Sequence, residues 1–473
     1  PDFDPNDAYK LTSDKYIDEL KKNVAKILKE ENVKVEIPDA WYTEGGLDNL
    51  PEAIHDNSDL VDALGSARVN ILMKTWRNPV IADNYEPGST FKLMTVSTAY
   101  DLGATHAEDT YYCGGSLQVE NWEIKCANTS GHGMQTLTEA LMNSCNVAMM
   151  QIAQSVGMDR FYNFYKAFGL TEPTGIDLPG ELQGYVASQT TLYDKNKAIS
   201  AAEQSTWRPS IVFNNIKKHL VDVGEQYNMT FDEEKLNKCV KRLMDMAVDY
   251  NQNDWLPEIR TILMEELDMP RELVYLQIVA GDTYIMLNEI KWGGSEAIMA
   301  AVGQSITTVT PVAMARYVAA VANGGKVYDL RLIDSIISPD GEVLSESTPI
   351  LASEIEGDGV QEYLAALRQG MSDVTKDEGT AGSFFKGEYA DVGEKMGAKT
   401  GTAEKTTIDL ENNAWMVAFA PYDDPQIAVC VYIPHGYSGS YCSITIREVL
   451  NYYLEHMDLD SEDIMPPSNA LAY

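Results

Sequence analysis

Positive charge is what this sequence has least of: 36 Lys and Arg stand against 72 Asp and Glu, for a formal net charge of −36. Such a chain has nothing with which to neutralise phosphates, which excludes a nucleic-acid partner and disfavours docking on anionic lipid. Long hydrophobic runs are also lacking, and no stretch approaches the roughly 20 apolar residues that a membrane-spanning helix needs. No internal repeat or low-complexity segment stands out. What is there is a folded globular protein: 473 residues, 44% of them hydrophobic, exceed one ordinary domain and suffice for a sizeable core.

Three short strings stand in a telling order: Ser89-Thr90-Phe91-Lys92, Ser144-Cys145-Asn146 and Lys399-Thr400-Gly401-Thr402. A serine hydroxyl is a weak nucleophile until a neighbouring base takes its proton, and a lysine at i+3 lies one helical turn away on the same face. Glu86-Pro87-Gly88 reads as a turn that ends where a helix begins, with Phe91, Leu93, Met94 and Val96 as its apolar positions. Ser89 then falls in the first helical turn, where free backbone N–H groups favour negative charge on a reacting oxygen. Lys92 can act as base only when unprotonated, which burial and a nearby cation such as Lys399 favour. Ser144 and Asn146 fall in a helical pattern marked by Leu137, Leu141, Val147, Met150 and Ile152. The string at 399 opens a run of strands. Singly each string is weak evidence; in this order they supply every group a serine acyl-transfer site needs.

With these residues the chain resembles the transpeptidase domain of class B penicillin-binding proteins, of the division, elongation or sporulation kind. The likeness extends to Pro1 to Asn6, Tyr85 to Ser89, Gly175 to Glu181, Gly303-Gln304, Thr308 to Pro311, Ala322 to Gly325 and Ala398 to Glu404. It implies a mixed α/β (α+β) fold, penicillin-binding transpeptidase or serine β-lactamase-like, with an antiparallel sheet covered by helices plus a helical subdomain. It also implies a D,D-transpeptidase that cross-links peptidoglycan stem peptides through an acyl-serine and is acylated by β-lactams. Ser89 would be the nucleophile and Lys92 the base. Ser144 and Asn146 would relay protons and hold the substrate amide, while Lys399 and Thr400 would grip the substrate carboxylate. Gly401 belongs to the same substrate-binding string, and the N–H groups of Ser89 and Thr402 would form the oxyanion hole. A serine β-lactamase or D,D-carboxypeptidase, and a non-catalytic β-lactam sensor, use the same groups. No cofactor is required for acyl transfer. Family members carry an N-terminal membrane helix and act outside the cytoplasm, so the anchor, the pedestal domain and contacts with other cell-wall synthesis proteins are expected outside this chain.

The remaining residues divide the chain into an N-terminal segment with a helical insertion (1–75), the serine helix and helical subdomain (76–207), a second helical insertion (208–295) and the sheet with its closing helix (296–473). Within the first, Thr12 or Ser13 reads as the cap of a charged helix, Asp14 to Glu30. Strands are expected at Lys395 to Glu404, Ala414 to Ala420 and Gln426 to Ile433, with the first on a sheet edge. Cys113, Cys126 and His132 lie within twenty residues in a glycine-rich stretch and suit a structural zinc site. Asp109 is the first choice for its fourth ligand, with His106 or Cys145 behind it. A Cys113–Cys126 disulfide and buried free thiols are the other two readings.

Overall fold

The computed structural model describes residues 9–119, 122–156, 161–200, 203–304, 306–357, 359–403 and 411–456. The chain divides into two compact units, Pro1–Asp83 and Asn84–Tyr473. In the first, a helix spans Asp14–Glu30, the limits read from its cap and charge, burying Leu20 and Val24. Ser13 occupies the cap position, but its side chain makes no capping bond. A second long helix, Ser58–Trp76, is capped by the Asn57 side chain and buries Leu60, Leu64, Ile71 and Leu72. Arg68 on this helix is only 7% exposed. Its guanidinium is kept satisfied there by donating to the carbonyls of Tyr9, Trp41 and Thr43, which removes most of the cost of burying it.

The centre of the second unit is a three-stranded antiparallel sheet in the order Ile427–Ile433, Asn413–Ala420, Gly397–Ala403. The middle strand is buried along its whole length, which explains its unbroken apolar run. Its side chains alternate between two cores, as a period of two requires. Trp415, Val417 and Phe419 pack with the buried faces of the helices Lys92–Asp101, Asn146–Val156, Pro311–Ala322 and Val360–Asp373. Met416 and Ala418 turn the other way, onto Ile446 and Leu450 of the closing helix Ser443–His456. Among the described residues Gly397–Ala403 is an edge strand, so its free side is available to the serine turn.

Residues 203 to 290 are helical throughout most of their length, with Arg208–Gln226, Glu233–Asp249 and Trp255–Leu267 the longest pieces. They build a core of their own around Ile216, Leu220, Leu243, Trp255 and Leu263. The glycine-rich stretch that holds Cys113, Cys126 and His132 contains two small antiparallel pairs: Thr110–Cys113 with Gly133–Thr136, and Ser116–Val119 with Trp122–Lys125.

Candidate active site

The serine turn is tied down by glycines on both sides. Gly88 has φ +54°, its N–H donates to Gly303 O at 2.9 Å, and an added Cβ would lie 2.6 Å from Thr402 O. A Cβ on Gly401 would in turn lie 3.1 Å from Thr90 N. These close approaches need glycine and set the turn directly against the edge strand. A 3₁₀ turn over Gly88–Phe91 runs into the helix Lys92–Asp101, so Ser89 sits half-buried at the helix start, as expected. Behind it, Trp415 Nε1 donates to Glu86 O at 2.8 Å, and Tyr85 stacks on Tyr432 with centroids 4.0 Å apart.

The helical pattern around Ser144 breaks where a continuous helix was expected. One helix ends at Met142 and the next begins at Asn146. Ser144 N–H donates to Leu141 O at 3.1 Å and Cys145 N–H to Ala140 O at 2.9 Å. That is the paired C-terminal closure usually made with glycine in the left-handed position. Here Ser144 takes it, at φ +50°, at a cost of about 1–3 kcal/mol for a non-glycine residue. The kink turns both its carbonyl and its hydroxyl inward. Lys92 Nζ donates to Ser144 O at 2.6 Å, Asn146 Oδ1 at 2.6 Å and Ser144 Oγ at 3.2 Å. Lys399 Nζ donates to the same Ser144 Oγ at 2.9 Å and to Thr400 O at 2.8 Å. Ser144 Oγ therefore bridges two lysines, both fully buried.

Burial disfavours the charged form of each amine. It pushes Lys92 down to about 8 against an opposing pull from Cys145 and Cys126. Lys399 is held well below its ordinary range, first by burial and then by the neighbouring Lys92. The cation effect expected for Lys92 thus falls on Lys399. Thr400 Oγ1 shares a hydrogen bond of 2.8 Å with Thr380 Oγ1, Ser440 Oγ donates to Thr380 O, and Gly439 N–H donates to Thr402 Oγ1 at 3.1 Å. Sequence reasoning missed Thr380 and Ser440, which reach the strand only through the fold.

The cysteine cluster requires one correction. Cys113, Cys126, His132 and Cys145 have their ligand atoms within 4.8 Å of one another. Cys126 Sγ is 3.7 Å from His132 Nδ1 and 4.0 Å from Cys145 Sγ. Asp109 stands outside this group because its carboxylate accepts from His106 N–H at 2.8 Å, closing a local turn. Cys145, one of the two second choices, lies within the group. All six cysteines are unpaired thiols, so no bond joins Cys113 to Cys126. Cys126 is held well below its ordinary range by its hydrogen bond with the Cys145 thiol, which is itself pushed up. Sulfur–sulfur edges near 3.8 Å are what a tetrahedron with metal–sulfur bonds of about 2.3 Å produces, so the donor set fits zinc.

No described helix is long and apolar enough to cross a membrane. Stage V sporulation protein D of Bacillus subtilis is 25% identical over 361 residues, covering 75% of this chain and 39% of that protein. The peptidoglycan D,D-transpeptidase MrdA of Haemophilus influenzae is 23% identical over 421 residues, covering 85% of this chain and 50% of that protein. The chain thus spans half or less of the length of these relatives. Among solved structures, the complex between penicillin-binding protein PBP2 and MreC from Helicobacter pylori aligns with a TM-score of 0.52 at 16% identity, covering 92% of this chain and 62% of that one, a likeness of fold. The family described as "Penicillin binding protein transpeptidase domain" matches residues 53–252 and 279–451, most of the chain, and with the fold and site above this makes the protein a member of that family.

Proposed function

We propose that this chain is a peptidoglycan D,D-transpeptidase that works through an ester at Ser89 and is acylated there by β-lactams. The observation that carries the reading is Ser144 Oγ held between two buried lysines, beside a serine turn packed on the edge strand. Ser89 Oγ attacks the D-Ala-D-Ala carbonyl of a stem peptide and passes its proton to neutral Lys92. The N–H groups of Ser89 and Thr402 stabilise the oxyanion. The C–N bond then breaks, and the departing D-Ala takes a proton through Ser144. An amine of a second stem attacks the ester, loses its proton to the same relay and frees Ser89. Asn146 steadies the substrate amide, Lys399 and Thr400 receive its carboxylate, and Gly401 lets the chain approach as an added strand. No cofactor enters these steps. Intact-mass measurement after exposure to penicillin tests this: one drug adduct on the wild type and none on Ser89→Ala is expected. An unmodified wild type would overturn the reading.

Cys113, Cys126, His132 and Cys145 are proposed to hold a structural zinc. Held by residues in and flanking the two small antiparallel pairs and by the residue next to Ser144, it would fix the kink that aims Ser144 at the lysines. Metal analysis of the purified protein should give about one zinc per chain and a loss of most of it in Cys126→Ser; a stoichiometry near zero in the wild type rejects the site. The full-length protein is proposed to act outside the cytoplasm from a membrane anchor lying beyond this chain, together with other cell-wall synthesis proteins.

A further inference from the structure

Two adjacent cavities, of about 420 and 380 Å³, share Tyr185 and Ser205 in their walls, and together they make a two-part groove. Its near end is bordered by Glu86, three residues before Ser89. Its floor is fixed to the serine turn by backbone bridges, Tyr85 with Val309 and Tyr185 with Thr308, each closed by a reciprocal pair of hydrogen bonds of 2.7–3.0 Å. Nothing in the acyl-transfer steps uses this groove.

The lining selects a ligand class. Trp207 is 71% exposed and, like the partly exposed Tyr185 and Tyr162, presents an aromatic ring along the groove. Thr206 lines the near cavity, and its buried hydroxyl has no hydrogen-bond partner among the described residues. Asp194, whose Oδ1 accepts from Asn196 N–H at 3.0 Å, and Glu203 line the far cavity. Aromatic faces pack against the C–H faces of a pyranose ring, while carboxylates and hydroxyls take its hydroxyl and amide edges. Four acidic residues, Glu86, Glu289, Asp194 and Glu203, line the two cavities against Lys197 and Arg208, and Arg208 is paired with Glu296 at 3.3 Å, so the lining disfavours an anionic ligand.

We propose that this groove is a glycan subsite, holding the amino-sugar units from which the donor stem peptide hangs. The inference rests on the transpeptidase reading. Reach supports it. Three residues of extended chain at up to 3.6 Å each put Glu86 within about 11 Å of Ser89. The four-residue acyl part of a stem, at about 3.4 Å per residue, spans about 14 Å. The groove therefore begins nearer to Ser89 than the stem is long.

The test is calorimetric titration of the Ser89→Ala protein, which binds without turnover, using a disaccharide-pentapeptide and the bare pentapeptide. The glycosylated ligand should bind roughly tenfold more tightly, a difference of about 1.4 kcal/mol. Trp207→Ala in that background should close the gap to about twofold, and Trp207→Tyr, which keeps an aromatic face, should preserve most of it. Equal affinity for the two ligands, as an acceptor-peptide site would give, overturns the proposal, as does a full gap in Trp207→Ala. Penicillin acylation of Trp207→Ala with Ser89 intact should match the wild type. Failure of acylation in the wild type would count against the transpeptidase reading and is a separate result.

Discussion

Lys92 is the residue on which chemistry and position meet most directly. Its amine lies among three oxygen acceptors, an arrangement suited to the ammonium form, yet burial brings its pKa down to about 8. The neutral amine is the form that takes the proton from Ser89, so its fraction rises about tenfold per pH unit below 8 and levels off above. The second-order rate of penicillin acylation should follow this curve, climbing from pH 6 to 8 and reaching a plateau near pH 9. Lys92→Arg keeps the charge but cannot release a proton near neutrality. Acylation should fall by about 10²–10⁴-fold, the usual contribution of a positioned base. A flat rate profile from pH 6 to 9, or an active Lys92→Arg variant, would assign the base elsewhere.

Among the elements, those with regular apolar spacing were legible in the sequence. The helix Asp14–Glu30 has its expected limits, and the three sheet strands lie within two residues of theirs, Glu404 falling outside the described residues. The edge placement of Gly397–Ala403 also followed from order along the chain. Three features did not follow, each for a physical reason. The kink at Ser144 has no glycine to announce it, because the strain is held by Lys92 and Lys399 from distant elements. Cys145, named in the sequence only behind Asp109, lies with His132 and the other two thiols because it directly follows that kink. Thr380 meets Thr400 across twenty residues that carry no spacing signal. The elements around the serine turn carry their own prediction. Gly303 has φ +78°, and an added Cβ would lie 1.8 Å from Gly88 O. Gly303→Ala must therefore push the serine turn away from the edge strand. It should lower stability by about 2–4 kcal/mol, the range for backbone strain joined to overpacking. A thermal melt and an acylation time course should show both losses, and a variant as stable and as reactive as the wild type would mean the turn can move freely.

At the scale of the whole molecule, the segment from Arg208 to Ile290 has a core of its own, while the family match omits residues 253–278 within it. Its two ends come together, since Arg208 and Glu289 border the same cavity. Replacing the segment with a short Gly-Ser linker is therefore topologically open. None of the groups placed around Ser89 lies in it, and a body with a separate core can fold without its neighbour. Penicillin acylation should persist at a rate within about threefold of the wild type, as expected for sites without shared partners. The preference for a glycosylated ligand should vanish, because Arg208, Ile211 and Glu289 wall the groove. Tyr193, which packs into the segment's core, would become exposed, so Tyr193→Ser belongs in the shortened chain to keep it soluble. A shortened protein that melts cooperatively yet no longer reacts with penicillin would show that the segment belongs to the catalytic body. One that reacts and still distinguishes glycopeptide from peptide would place sugar recognition away from this groove.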